Sequence, residues 1–178
     1  MSVDKTSTKR FARVAILTIS DTRCFETDTS GSWLQEAVEA EGHELIDRKV
    51  VVDDVYQMRA IVSDWVANPN VEVILTTGGT GFTGRDSTPE ALAPLFDKHI
   101  EGFGELFRHL SYAEIGTSTV QSRCLAGIAI GRPFSVFRAL LVHVKQVGMG
   151  LSVNSWMPVL NPVISCNMLV SRLNNAVG

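Results

Sequence analysis

The sequence runs out of acid two thirds of the way along. All 19 Asp and Glu residues lie within positions 1–114 and none within 115–178, where the earlier density would place about eleven. Cysteine is also scarce. Cys24, Cys124 and Cys166 are widely spaced and odd in number; they form neither a zinc pattern nor a disulfide framework, and a reducing cytoplasm is the simplest setting. There is no excess of base: a net charge of -3 argues against a general nucleic-acid binder, which needs a basic face. No stretch reaches the ~18 apolar residues of a membrane helix. Residues 1–9 are polar and lack the apolar core of a signal peptide. What is present is ordinary: 178 residues, 45% hydrophobic and 20% charged, the values of one soluble globular domain.

Strand-like and helix-like segments alternate after a leader, residues 1–12, expected to be mobile. Val14-Ala15-Ile16-Leu17-Thr18-Ile19 reads as a buried strand closed by Ser20-Asp21-Thr22. Leu34, Ala37 and Val38 recur at helical spacing, with Gly42 as a stop. Leu45 to Val52 reads as a second strand, followed by Asp53-Asp54 and a helix with the stripe Val55, Met58, Val62, Trp65 and Val66. Alternation at this spacing implies an α/β fold, a three-layer, mostly parallel sheet flanked by helices, with right-handed crossovers. Ligands of such sheets lie beyond the C-terminal strand ends. Here those ends carry Ser20-Asp21, Asp53-Asp54 and Gly78–Gly81.

The third of these is the centre of the chain. Val73-Ile74-Leu75 is a short apolar run, Thr76 and Thr77 lead into Gly78-Gly79-Thr80-Gly81, and Thr88-Pro89 reads as a helix start with Thr88 as N-cap. Glycines let backbone N–H groups approach a phosphate because no Cβ intervenes. The alternative is a tight connection without a ligand, which the neighbouring Thr77, Thr80, Arg85 and Asp86 make the poorer reading. Arg85 suits a phosphate. Asp86 is the best metal or catalytic carboxylate, and Asp53 can share that duty across the strand ends unless it merely caps the next helix; Asp54 is expected to be that cap. Ser20 and Asp21 can orient a nucleotide or a pterin, or simply close a turn. Asp28 and Ser30 read as loop residues. Glu105 reads as solvated from its spacing, and Arg123 as a phosphate clamp or an exposed arginine. The histidines show no ligand spacing, and Cys24 has no base near it in sequence.

These residues carry a family likeness. T-T-G-G-T-G-F-T-G-R-D-S-T-P-E-A-L at 76–92 resembles the group of molybdenum cofactor biosynthesis protein B and molybdopterin adenylyltransferase. Supporting segments are T-I-S-D-T-R (18–23), D-T-S-G (28–31), V-D-D (52–54), G-F-G-E-L-F-R (102–108), L-S-Y-A-E-I-G (110–116) and S-R-C-L-A-G (122–127). The likeness covers residues 13–129. It implies a molybdopterin-binding α/β domain in which Asp53 and Asp86 hold Mg²⁺, the glycine loop binds the phosphate of molybdopterin with ATP, and Glu105 becomes a possible contact. It also implies a homo-oligomer, a trimer or a hexamer. The reaction implied is adenylylation of molybdopterin; the alternative is a non-catalytic pterin-binding protein of the same fold.

The likeness stops at Ala129. The group would next carry a second loop of Pro-Gly-Ser-x-Gly-Ala type, and residues 130–178 lack it. A membrane-facing tail, a buried oligomer contact and a frame error compete to explain the acid-free segment. The first is weak because Pro, Asn, Ser and basic residues break every apolar run. If one base was lost after the Ala129 codon, rebuilding each codon from the last base of the one before and the next two permits N-W-P-T-F-Q-C-F-P-G-S-T-G-A-C-Q-T-G-W-D-G from Ile130 onward. It also permits Q-L-D-A-R-T-Q-P-C-N-F-V over Ser155 to Cys166, which restores acid and the missing loop together. The expectation is therefore a frameshifted tail that packs poorly and leaves the sheet short of one strand and one helix.

Overall fold

In the computed structural model, residues 11–132 and 135–141 are described. The chain opens with β1 (Arg13–Ile19), α1 (Thr29–Ala40), β2 (Glu44–Val51), α2 (Val55–Ala67) and β3 (Val73–Thr77). There follow the short helix α3 (Thr88–Leu92), β4 (Lys98–His99), α4 (Glu101–Ile115), β5 (Ala126–Arg132) and β6 (Ser135–Leu141). Among the described residues six strands form one sheet, in the order β2-β1-β3-β6-β5-β4. The first four run parallel; β5 is antiparallel to β6, and β4 to β5.

Side chains alternate between the faces of a strand. Val14, Ala15, Ile16 and Leu17 of β1 are all fully buried, so helices must cover both faces of the sheet, as parallel strands require. Met58, Val62 and Trp65 supply the buried stripe of α2. Phe103 and Phe107 of α4 join the same core, their rings 6.2 Å apart.

Two details depart from the sequence reading. Ala12 is buried, and its N–H donates to His43 Nδ1 at 3.2 Å, so the folded domain begins inside the supposed leader; residues 1–10 lie outside the described residues. More important, the sheet is not short of a strand. β6 lies between β3 and β5, pairing Val73 with Arg138 and Leu75 with Leu140. Main-chain ladders fill that slot, and they ask only for an extended segment of β-forming residues, which Ser-Val-Phe-Arg-Ala-Leu-Leu is. The helix and the second ligand loop expected further on fall outside the described residues.

Candidate functional site

Because β2, β1 and β3 are adjacent and parallel, their C-terminal ends reach the same edge of the sheet. Thr18 is level with Thr77 on one side and Val50 on the other. Ser20 N–H donates to the Val51 carbonyl at 2.8 Å, tying the first two ends together. Beyond this edge lie the three polar clusters.

The glycine turn is shaped by what surrounds it. Gly78 has φ +101° and Gly79 φ +62°, conformations that disfavour a side chain. A Cβ on Gly78 would stand 2.1 Å from the Ile19 carbonyl oxygen; one on Gly79 would stand 2.1 Å from Thr88 Oγ1 and 2.5 Å from Asp53 Oδ2. Thr77 and Thr80 are buried beside the turn. Thr88 is not the N-cap of α3; Ser87 is. The buried Thr88 hydroxyl turns back instead to donate to the Gly78 carbonyl at 3.0 Å, which closes the glycine turn.

Asp53 and Asp86 flank this turn. Asp53 accepts from the Ser87 N–H at 3.2 Å and from the Ser87 hydroxyl. Asp86 accepts from the Thr83 N–H at 2.9 Å and from the Thr83 hydroxyl. Burial pushes the Asp86 carboxyl up, but the Thr83 hydroxyl and amide, the Gly81 amide and the Arg123 charge outweigh it, so it ionises below its ordinary value. Asp54 caps α2, accepting from the amides of Tyr56 and Gln57 at 3.0 and 2.8 Å. Asp53 is therefore not the cap of α2.

Asp21 bridges two of the clusters. Arg85 grips it with both ends of its fork, Nε at 2.9 Å and Nη2 at 2.7 Å, while the Asp53 N–H donates to it at 3.1 Å. The Arg85 hydrogen bond, then that of the Asp53 amide, hold the Asp21 carboxyl below its usual range. The Ser20 hydroxyl accepts from the amides of Thr22 and Arg23. Arg123 turns its fork on the loop: Nε donates to the Gly81 carbonyl at 2.8 Å, Nη2 to the Asp86 carbonyl at 2.6 Å, and Nη1 pairs with Glu90. Glu105 is exposed on α4, with no hydrogen bond or ion pair to these residues among those described.

Comparison with known proteins now decides the family. A family model described as a probable molybdopterin binding domain matches residues 15–147. Molybdenum cofactor biosynthesis protein B of Escherichia coli (strain K12) is 54% identical over 117 residues, 66% of this chain and 69% of that protein. The chain belongs to this family. A crystal structure of a molybdenum cofactor biosynthesis protein B superposes with a TM-score of 0.77 at 37% identity, covering 93% of this chain and 99% of that one. The tungsten cofactor synthesizing protein of Pyrococcus furiosus gives 0.78 at 28%, with 93% and 99% covered. The expected three-layer α/β fold of the molybdopterin-binding type is the one found.

Some residues of this family member escaped the sequence reading. Ser87 and Thr83 hold the two carboxylates, and their signal was position alone: a hydroxyl on either side of Arg85-Asp86. Asp28 is no loop residue. It is buried, caps α1 through the Gly31 N–H at 2.9 Å, accepts from the Thr18 hydroxyl at 2.8 Å and pairs with Arg48 at 2.9 Å. Among the described residues no group of three or more His, Cys, Asp or Glu is placed to hold a metal ion. A Mg²⁺ ion needs fewer, since it keeps several waters and takes one or two carboxylates. Asp53 and Asp86 fit that demand: both are hard oxygen donors set against glycines, where an added Cβ would stand only 2.5 and 2.8 Å from their Oδ2 atoms. No helix among the described residues is long and apolar enough to cross a membrane.

Proposed function

We propose that this protein binds molybdopterin at the glycine turn and, with Mg²⁺ and ATP, adenylylates it in molybdenum cofactor biosynthesis. The observation that carries the reading is the placement of Asp53 against Gly79 and of Asp86 against Gly81, so that carboxylates from different strand ends flank one glycine turn. In the step proposed, a phosphate oxygen of molybdopterin bonds to the α-phosphorus of ATP. The bond from that phosphorus to the bridging oxygen breaks, and its electron pair leaves with pyrophosphate. When bound, Mg²⁺ neutralises the charge that gathers as two phosphates meet.

The chain's own part is position and charge. Backbone N–H groups of the glycine turn would face the phosphate, apart from that of Gly81, which faces Asp86; Asp53 and Asp86 would hold the ion, and Asp21, Ser20 and Arg85 would line the β1 side. No side-chain nucleophile is required. The protein would work in the cytoplasm as a homo-oligomer, a trimer or a hexamer.

A second reading, a pterin-holding protein without catalysis, is favoured by one observation: Arg85 and Arg123 are already committed to Asp21, to loop carbonyls and to Glu90. Pyrophosphate release from ATP in the presence of molybdopterin separates the two. Release lost in Asp86→Asn supports the first; pterin bound with no release supports the second. We also infer that residues 130–178 are read in a shifted frame, the facing ligand loop being encoded in the other. Resequencing around the Ala129 codon tests this, and native C-terminal peptide masses matching the printed tail would sink it.

A further inference from the structure

Arg123 stands on the short segment between α4 and β5, outside the loop it contacts. Its backbone N–H donates to the Thr80 carbonyl at 3.3 Å, and its side chain holds the carbonyls of Gly81 and Asp86. A trans peptide places its C=O and the following N–H on opposite sides of the chain. Fixing these three carbonyls therefore aims the N–H groups of Gly81, Phe82 and Ser87 away from Arg123. Two of the three can be followed further: the Gly81 amide faces the Asp86 carboxylate, and the Ser87 amide donates to Asp53. The guanidinium plane, with the Phe82 ring 5.6 Å away, spans both ends of the 81–86 loop like a brace. Its Nη1 is tied to Glu90, and the side chain is 24% exposed.

We propose that Arg123 is a positioning residue for both site carboxylates, acting through the carbonyl ends of the peptides whose N–H ends face Asp86 and Asp53, and not by gripping the ligand. The metal half of this proposal rests on reading those carboxylates as the Mg²⁺ pair. The planar fork gives each carbonyl its own N–H, Nε for Gly81 and Nη2 for Asp86, at a fixed spacing that a single ammonium nitrogen does not reproduce. Lysine keeps the charge and loses the brace.

The test uses the full chain with Arg123→Ala and Arg123→Lys, and two readouts. Hydrogen exchange should show at least a tenfold loss of protection at the Thr83 and Ser87 amides in both variants, with amides of β1 and β3 unchanged. Mn²⁺ affinity, read by electron paramagnetic resonance as a stand-in for Mg²⁺, should fall at least tenfold in both. The sign is decisive, because removing a cation beside two carboxylates would by charge alone tighten metal binding. Unchanged exchange, equal or tighter Mn²⁺ binding in the alanine variant, or full rescue by lysine would overturn the proposal. Wild-type protein that binds Mn²⁺ no better than Asp86→Asn sinks the metal reading instead, while the exchange result still judges the brace.

Discussion

Arg48 meets Asp28 at 2.9 Å with side-chain exposures of 7% and 0%; Arg85 meets Asp21 at 2.7 Å with 71% and 33%. Both aspartates belong to the segment after β1, yet the surroundings give the two pairs different work. The first is enclosed. Asp28 also serves the Thr18 hydroxyl and the Gly31 amide, and Arg48 reaches the Asp28 carbonyl, Ser32 and Gln35. It locks the start of α1 to β1 and β2. The second stands in water across the strand-end crevice, where screening makes an ion pair weak and easily exchanged. Arg85 is open to an incoming anion that would compete with Asp21, whereas Arg48 is enclosed with Asp28.

The largest expected effect breaks the enclosed pair. Arg48→Ala leaves a buried carboxylate without its partner and should cost about 3–5 kcal/mol of folding free energy, read by urea unfolding. A loss below about 1 kcal/mol would put the two pairs in one class. Next comes Gly79→Ala. It strains a positive φ and drives a methyl into Thr88 and Asp53, for a cost on the order of 1–3 kcal/mol. It should also weaken Mn²⁺ binding at least tenfold among the molecules that stay folded. Stability should then respond to acid through Asp86. Its carboxyl is lowered from 3.8 in the fold, so its contribution is present above that ordinary value and fades as pH falls through the lowered one. Asp86→Asn should flatten that part of the pH profile, measured as unfolding midpoints from neutral to acid. The smallest effect on stability belongs to Arg85→Ala. The unfolding midpoint should not move, whereas affinity for pyrophosphate, used as an anion probe, should drop several-fold. A shifted midpoint would make the exposed pair structural after all.

Periodicity and glycine made the architecture legible. Short apolar runs marked β1 and β3, the Met58–Val62–Trp65 stripe marked α2, and the alternation implied parallel strands whose ends carry the site. What stayed hidden were choices made by tertiary contact. Asp28 in D-T-S-G looks the same whether it faces water or Arg48, twenty residues on. Thr88 looks like an N-cap, but the Gly78 carbonyl claims its hydroxyl and leaves the cap to Ser87. Arg123 looks like a phosphate clamp because sequence shows a donor and not its direction. The tail taught the reverse lesson: an expectation built on side-chain pattern missed β6, because a ladder is recruited through the backbone.

That strand has a consequence for how the molecule comes into being. β2, β1 and β3 need only residues up to Thr77, and they can associate early as the ribosome delivers them. β4 and β5 emerge next, but neither pairs with those strands; β6 is what joins them in the ladder. Until Ser135–Leu141 leaves the exit tunnel, β3 keeps an open edge, and β5 meets the first half of the sheet only through α2 and the shared core. Open edges invite pairing with other chains. β6, the last strand among the described residues, is thus the keystone, and the edge of β3 lies open to neighbouring chains until translation reaches it.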